Sequence, residues 1–102
     1  MLAPMARLTA AEIQERLGHL AGWTLDGDAI RRQFTFGSFP DAIAYVCRLA
    51  FDAETADHHP DILINYKRVT LTYSTHSEGG LTQKDFDGAR LADALAERMR
   101  RS

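Results

Sequence analysis

The residues best suited to chemistry are histidines. Four occur in the chain: His58 and His59 are adjacent, His76 follows further on, and His19 stands apart. The segment Glu54, Asp57, His58, His59, Pro60 gathers two carboxylates and two imidazoles in a short stretch. An imidazole titrates near pH 6.5, so such groups beside carboxylates suit proton transfer to and from a small molecule. Ser74, Thr75 and Ser77 flank His76, but there is no G-x-S-x-G elbow, and Cys47 falls on an apolar helical stripe and reads as a buried core residue. Covalent catalysis is therefore the weaker reading. A P-loop and a G-x-G-x-x-G turn are both absent from the sequence. Three histidines and a carboxylate could bind zinc or iron. The spacing matches no structural zinc pattern, however, and an extended backbone sends adjacent residues to opposite sides, so no metal is expected. The bland alternative is an exposed loop pair and an unrelated histidine at a strand end.

Local signals place these residues on elements. Thr9 with Glu12 forms a capping box before Ile13, Leu17 and Leu20, and Gly18 and Gly22 keep that helix short. Trp23 to Leu25, Asp26-Gly27-Asp28 and the alternating Ile30, Arg32, Phe34 and Phe36 predict a hairpin. Ser38 caps a second helix with Pro40 in its first turn. Phe39, Ile43, Val46, Cys47 and Ala50 predict its core stripe, Glu54 continues that stripe, and the helix should reach about Asp57. Pro60 turns the chain extended, and Ile62, Ile64, Tyr66, then Val69, Leu71, Tyr73 predict a second hairpin ended by Gly79-Gly80. Thr82 and Asp85 can cap a last helix with Phe86, Ala89, Ala92, Leu95 and Met99 facing inward and Arg98, Arg100 and Arg101 at its negative end. Asp85 reads equally as a cap and as a site residue.

The order α-β-β-α-β-β-α predicts an α+β fold: one four-stranded antiparallel sheet with helices over one face. Antiparallel pairing returns the end of the fourth strand to the start of the third, so His76 should meet His58 and His59 at one sheet edge. His19, without an acidic neighbour, reads as a surface residue, and Trp23 as core.

With 102 residues, 45% hydrophobic and 25% charged, the chain reads as one globular domain spanning 1–102. Twelve Lys plus Arg against fourteen Asp plus Glu leave a net charge of −2, which argues against a nucleic acid or an anionic membrane as partner. Cys47 is the sole cysteine, so no internal disulfide can form. The absence of a long apolar run or a signal-like start makes the cytoplasm the default location. Two free sheet edges make self-association an expectation.

At the same residues the sequence resembles the pterin-4a-carbinolamine dehydratase family, whose members in animals also serve as a dimerization cofactor of a transcription factor. The motif runs Glu54, three residues, His58-His59-Pro60, a short gap to Tyr66, nine residues to His76, then Asp85. Gly22-Trp23, the Phe34 to Phe39 segment, and Thr75-His76 followed by Gly79-Gly80-Leu81-Thr82 add to it, from about Leu8 onward. The resemblance implies a hydro-lyase converting 4a-hydroxytetrahydropterin, released by aromatic amino-acid hydroxylases, to quinonoid dihydropterin and water. It implies His58 and His76 as proton-transfer groups and His59 as the residue orienting the pterin. Glu54, Asp57, Pro60, Ser74, Thr75, Ser77 and Asp85 would contact substrate or position the imidazoles. No metal or organic cofactor is implied, and the expected assembly is a homodimer or homotetramer. The alternative is a non-catalytic binding, assembly or transcriptional coactivator module of the same fold.

Overall fold

Thr9 and Glu12 close the predicted capping box: Glu12 N donates to Thr9 Oγ1 at 3.2 Å and Thr9 N to Glu12 Oε1 at 2.8 Å. They start helix α1 (Ala10–Leu17) in a computed structural model that describes residues 6–101, without the side chain of Arg101. The role expected of Arg101 at the last helix end thus lies outside the described residues. Strands β1 (Thr24–Asp26) and β2 (Ala29–Thr35) form the first hairpin around Gly27-Asp28. Gly27 takes φ +60°, the left-handed geometry that such two-residue turns require. Ser38 caps α2 (Phe39–Ala56) by accepting from Asp41 N at 3.2 Å, with Pro40 in the first turn where a missing N–H costs nothing. Strands β3 (Asp61–Asn65) and β4 (Arg68–Tyr73) follow, then a 3₁₀ turn (His76–Glu78) and α3 (Gln83–Arg101).

The element order is the predicted α-β-β-α-β-β-α, and the antiparallel sheet runs β1-β2-β4-β3. Pairing of Ile30 with Tyr73, Arg32 with Leu71 and Phe34 with Val69 puts one face of the central strands against α2 and α3. Ile30, Phe34, Val69, Leu71 and Tyr73 are buried there with Phe86, Ala89, Ala92 and Leu95 of α3. Trp23 joins this core, and its indole N–H donates to Asp93, which Arg32 also reaches at 2.9 Å, tying the first hairpin to α3.

The core face of α2 differs from the predicted one. Ala42, Tyr45, Leu49 and Ala53 are buried, whereas Phe39 and Cys47 are exposed, Ala50 faces solvent, and Ile43 and Val46 are half-buried. Glu54 does not continue the core stripe. A shift of one residue rotates a helix face by about 100°, and α2 carries apolar side chains on more than one side, so periodicity alone selects the wrong face. The deciding residue is Tyr45, whose hydroxyl donates to the Ala92 carbonyl at 2.9 Å and so can be fully buried. Tyr66 is likewise no strand residue: it forms the exposed β3–β4 turn with φ +58°. His19 has an acidic neighbour after all, with Glu15 four residues earlier and 3.7 Å away.

Candidate active site

The end of α2 brings the first two histidines into place. Asp57 adopts the left-handed conformation (φ 53°, ψ 43°), and its N–H and that of His58 bond back to the last turn, the geometry that usually ends a helix on glycine. The chain therefore reverses sharply before His58. The Asp57 side chain is exposed, and among the described residues it makes no hydrogen bond or ion pair with an imidazole.

His58 turns inward. Its ring stacks on Tyr73 with centroids 5.9 Å apart, and Nε2 lies 2.6 Å from Asp85 Oδ1. The side chain of Asp85 is fully buried and that of His58 only 12% exposed. The other carboxylate oxygen of Asp85 accepts from Thr75 Oγ1 at 2.8 Å and Thr82 N at 2.9 Å. The two threonine hydroxyls are 2.9 Å apart, and Lys84 N donates to that of Thr82. Donors thus surround the carboxylate as they would an anion, which directs Nε2–H of His58 toward Asp85 and leaves Nδ1 for other work. Asp85 is both helix cap and histidine anchor. Burial pushes the Tyr73 phenol well above its ordinary range, and the nearby Asp85 charge adds to that.

His59 faces the other way. Its Nε2 lies 2.8 Å from Glu54 Oε1, and the pair sits in solvent with side chains 57% and 81% exposed. His76 opens the 3₁₀ turn beyond β4, one residue after Thr75, and is exposed. It lines a cleft of about 290 Å³ with Asp28, Asp61, Thr72, Ser74, Gly79 and Gly80. The Ser74 hydroxyl donates to the Asp28 carbonyl at 2.7 Å, so it shapes this cleft by pinning the β1–β2 turn to the end of β4. Thr75 is buried and bridges to Gly80, closing the loop that carries His76. Ser77 is exposed within that turn, and Pro60 is half-buried as it leads into β3.

All three histidines thus sit at one end of the sheet, each in a different setting. Strand alternation explains the division: Tyr73 and Thr75 face the helices and meet His58 and Asp85, whereas Thr72 and Ser74 share the His76 cleft. On the helix side His58 lines a second cleft of about 310 Å³ with Ala53, Tyr73, Lys84, Gly88 and Leu91. Among the described residues no group of three or more His, Cys, Asp or Glu side chains is arranged to hold a metal ion. Sequence reasoning alone singles out neither Tyr73 nor Asp61 for the site. Tyr73 belongs to an alternating core pattern, and Asp61 is the first residue of a strand; only the fold shows what they border.

The structure is thus a three-helix, four-stranded α+β domain with two histidine–carboxylate pairs at one sheet end. The model of the pterin 4 alpha carbinolamine dehydratase family matches residues 6–95, and the chain belongs to this family. A protein of Roseiflexus sp. (strain RS-1), provisionally named a pterin-4-alpha-carbinolamine dehydratase, is 57% identical over 87% of this chain and 96% of its own length. Its counterpart from Chloroflexus aurantiacus (strain ATCC 29366 / DSM 635 / J-10-fl), with the same provisional name, is 50% identical over 89% and 98%. The crystal structure of a transcriptional coactivator/pterin dehydratase from Brucella melitensis superposes with a TM-score of 0.84 at 43% identity, over 88% of this chain and 98% of that one. A pterin dehydratase-like protein identified as a RuBisCO assembly factor in the alpha-carboxysome gives 0.64 at 27% identity, over 76% and 93%. Among the described residues no helix is long and apolar enough to cross a membrane.

Proposed function

We propose that the chain dehydrates 4a-hydroxytetrahydropterin, the product of pterin-dependent aromatic amino-acid hydroxylases, to quinonoid dihydropterin and water. The observation that carries this reading is the buried His58–Asp85 pair, set at the same sheet end as the exposed His59–Glu54 pair and the His76 cleft. In the elimination the C4a–O bond breaks as the hydroxyl takes up a proton, N5 loses its proton, and the C4a–N5 double bond forms. One acid and one base suffice, and no oxidant or reductant enters.

His58 acts as the base at N5 through Nδ1, because the Asp85 carboxylate behind Nε2 stabilises the imidazolium that forms. His76, exposed in its cleft, protonates the departing hydroxyl. His59, oriented by Glu54, holds the pterin. Ser74, Thr75 and Asp85 position these groups, and the exposed turn at Ser77 borders the substrate. Direct assay of freshly generated 4a-hydroxytetrahydropterin tests the reading: the wild-type chain accelerates water loss, and a wild-type chain that leaves the spontaneous rate unchanged overturns it.

A non-catalytic assembly role is the second reading, favoured by the likeness to the RuBisCO assembly factor. A pure assembly module has no need of the His58–Asp85 pair, so a chain that promotes partner assembly but never accelerates dehydration would support it. Self-association fits either role: β3 is an edge strand carrying exposed Ile62 and Leu63, and exposed Tyr66 follows it in the turn.

A further inference from the structure

The His76 cleft carries more than the reaction uses. Besides His76 it is bordered by two carboxylates from separate elements, Asp28 of the β1–β2 turn and Asp61 at the start of β3. Among the described residues neither carboxylate has a hydrogen-bond or ion-pair partner, whereas the cleft's serine hydroxyl is already engaged with the Asp28 carbonyl. Two unpaired carboxylates facing one small cavity repel anions and favour a ligand that presents N–H donors.

A pterin has one edge of this kind. On its pyrimidinone ring the 2-amino group and N3–H lie side by side and both donate, matching the two oxygens of a single carboxylate. That edge is remote from C4a and N5, so a group binding it can orient the ring without taking part in proton transfer. Asp61 is the better placed of the two. The sheet ladder fixes it opposite Thr72, and it follows His58-His59-Pro60 directly. Asp28 sits at a turn tip, where its backbone carbonyl rather than its side chain is held.

We propose that Asp61 reads the 2-amino/N3–H edge of the pterin and so sets substrate specificity in the His76 cleft. This rests on the dehydratase reading above. Asp61→Asn keeps the size of the side chain but replaces one acceptor with a donor. It should raise KM for 4a-hydroxytetrahydropterin, and Kd for the unreactive probe 7,8-dihydrobiopterin, about tenfold or more, with kcat changed less than about threefold. Asp28→Asn should raise both by clearly less. A pterin analogue with a dimethylated 2-amino group should bind wild-type and Asp61→Asn protein equally.

Unchanged KM and Kd in Asp61→Asn overturn the proposal. So does a loss confined to kcat, or equal effects of the two variants, which would mean only a diffuse charge effect. Failure of the underlying reading looks different: the wild-type chain then neither turns over the substrate nor binds the probe, and both proposals fall together.

Discussion

Asp85 shows how much rests on a single carboxylate. It is fully buried, and its oxygens meet His58, Thr75 and the Thr82 amide. A buried charge is tolerable only when donors surround it, and here they also fix the histidine. Asp85→Asn puts a donor where all neighbours donate. The expected result is a loss of about 1–3 kcal/mol in urea unfolding and a roughly 10- to 100-fold lower kcat with a shifted pH profile. An unchanged pH profile would reduce Asp85 to a structural cap. The residues alone leave Asp85 equally a helix cap and a site residue, because its partner His58 lies 27 residues away and is brought near by tertiary folding alone. The clustering of Glu54 with His58 and His59 is legible in the sequence, but which imidazole the carboxylate meets is not, since Glu54 leaves the core stripe its spacing suggests and pairs with His59 in solvent.

At the scale of elements, what is local was readable and what depends on packing was not. The capping box of α1, the Ser38-Pro40 start of α2 and the extension after Pro60 each follow from side chains within a few residues. The buried face of α2 did not, since only packing against α3 shows that Tyr45 rather than Cys47 points inward. The short turn holding His76 has no periodicity to read, and the two clefts follow from it and from strand parity. Gly88 of α3 is another case. Alanine there would gain about 1 kcal/mol of helix propensity, yet its Cβ would lie 2.5 Å from the Tyr73 ring that His58 stacks on. The clash should win, so Gly88→Ala is expected to lower the urea midpoint by the equivalent of about 1–3 kcal/mol. A raised midpoint would show that Tyr73 moves freely.

The whole molecule should be sensitive to alkali. Burial raises the phenols of Tyr45 and Tyr73 far above their unfolded value, with charge from Tyr73 and Asp93 adding at Tyr45 and from Asp85 at Tyr73. Above about pH 10 the unfolded chain releases these protons while the folded chain keeps them, so the folded state binds more protons and stability falls as pH rises. The slope is up to about 1.4 kcal/mol per pH unit for each phenol. Urea unfolding between about pH 9 and 11 should show it, and Tyr45→Phe should flatten it; a flat profile in the wild type would contradict the burial argument. The exposed β3 edge predicts assembly as well: Leu63→Lys, at a position 59% exposed, should shift sedimentation toward monomer. An unchanged distribution would place any self-association elsewhere.

The most direct measurement is the rate of water loss from 4a-hydroxytetrahydropterin with the wild-type chain and three histidine variants. His58→Ala and His76→Ala should each slow it by on the order of 10² or more, while His19→Ala, altering an exposed residue beside Glu15 of α1, should match wild type. Equal rates in all four proteins would contradict histidine acid/base catalysis at this site.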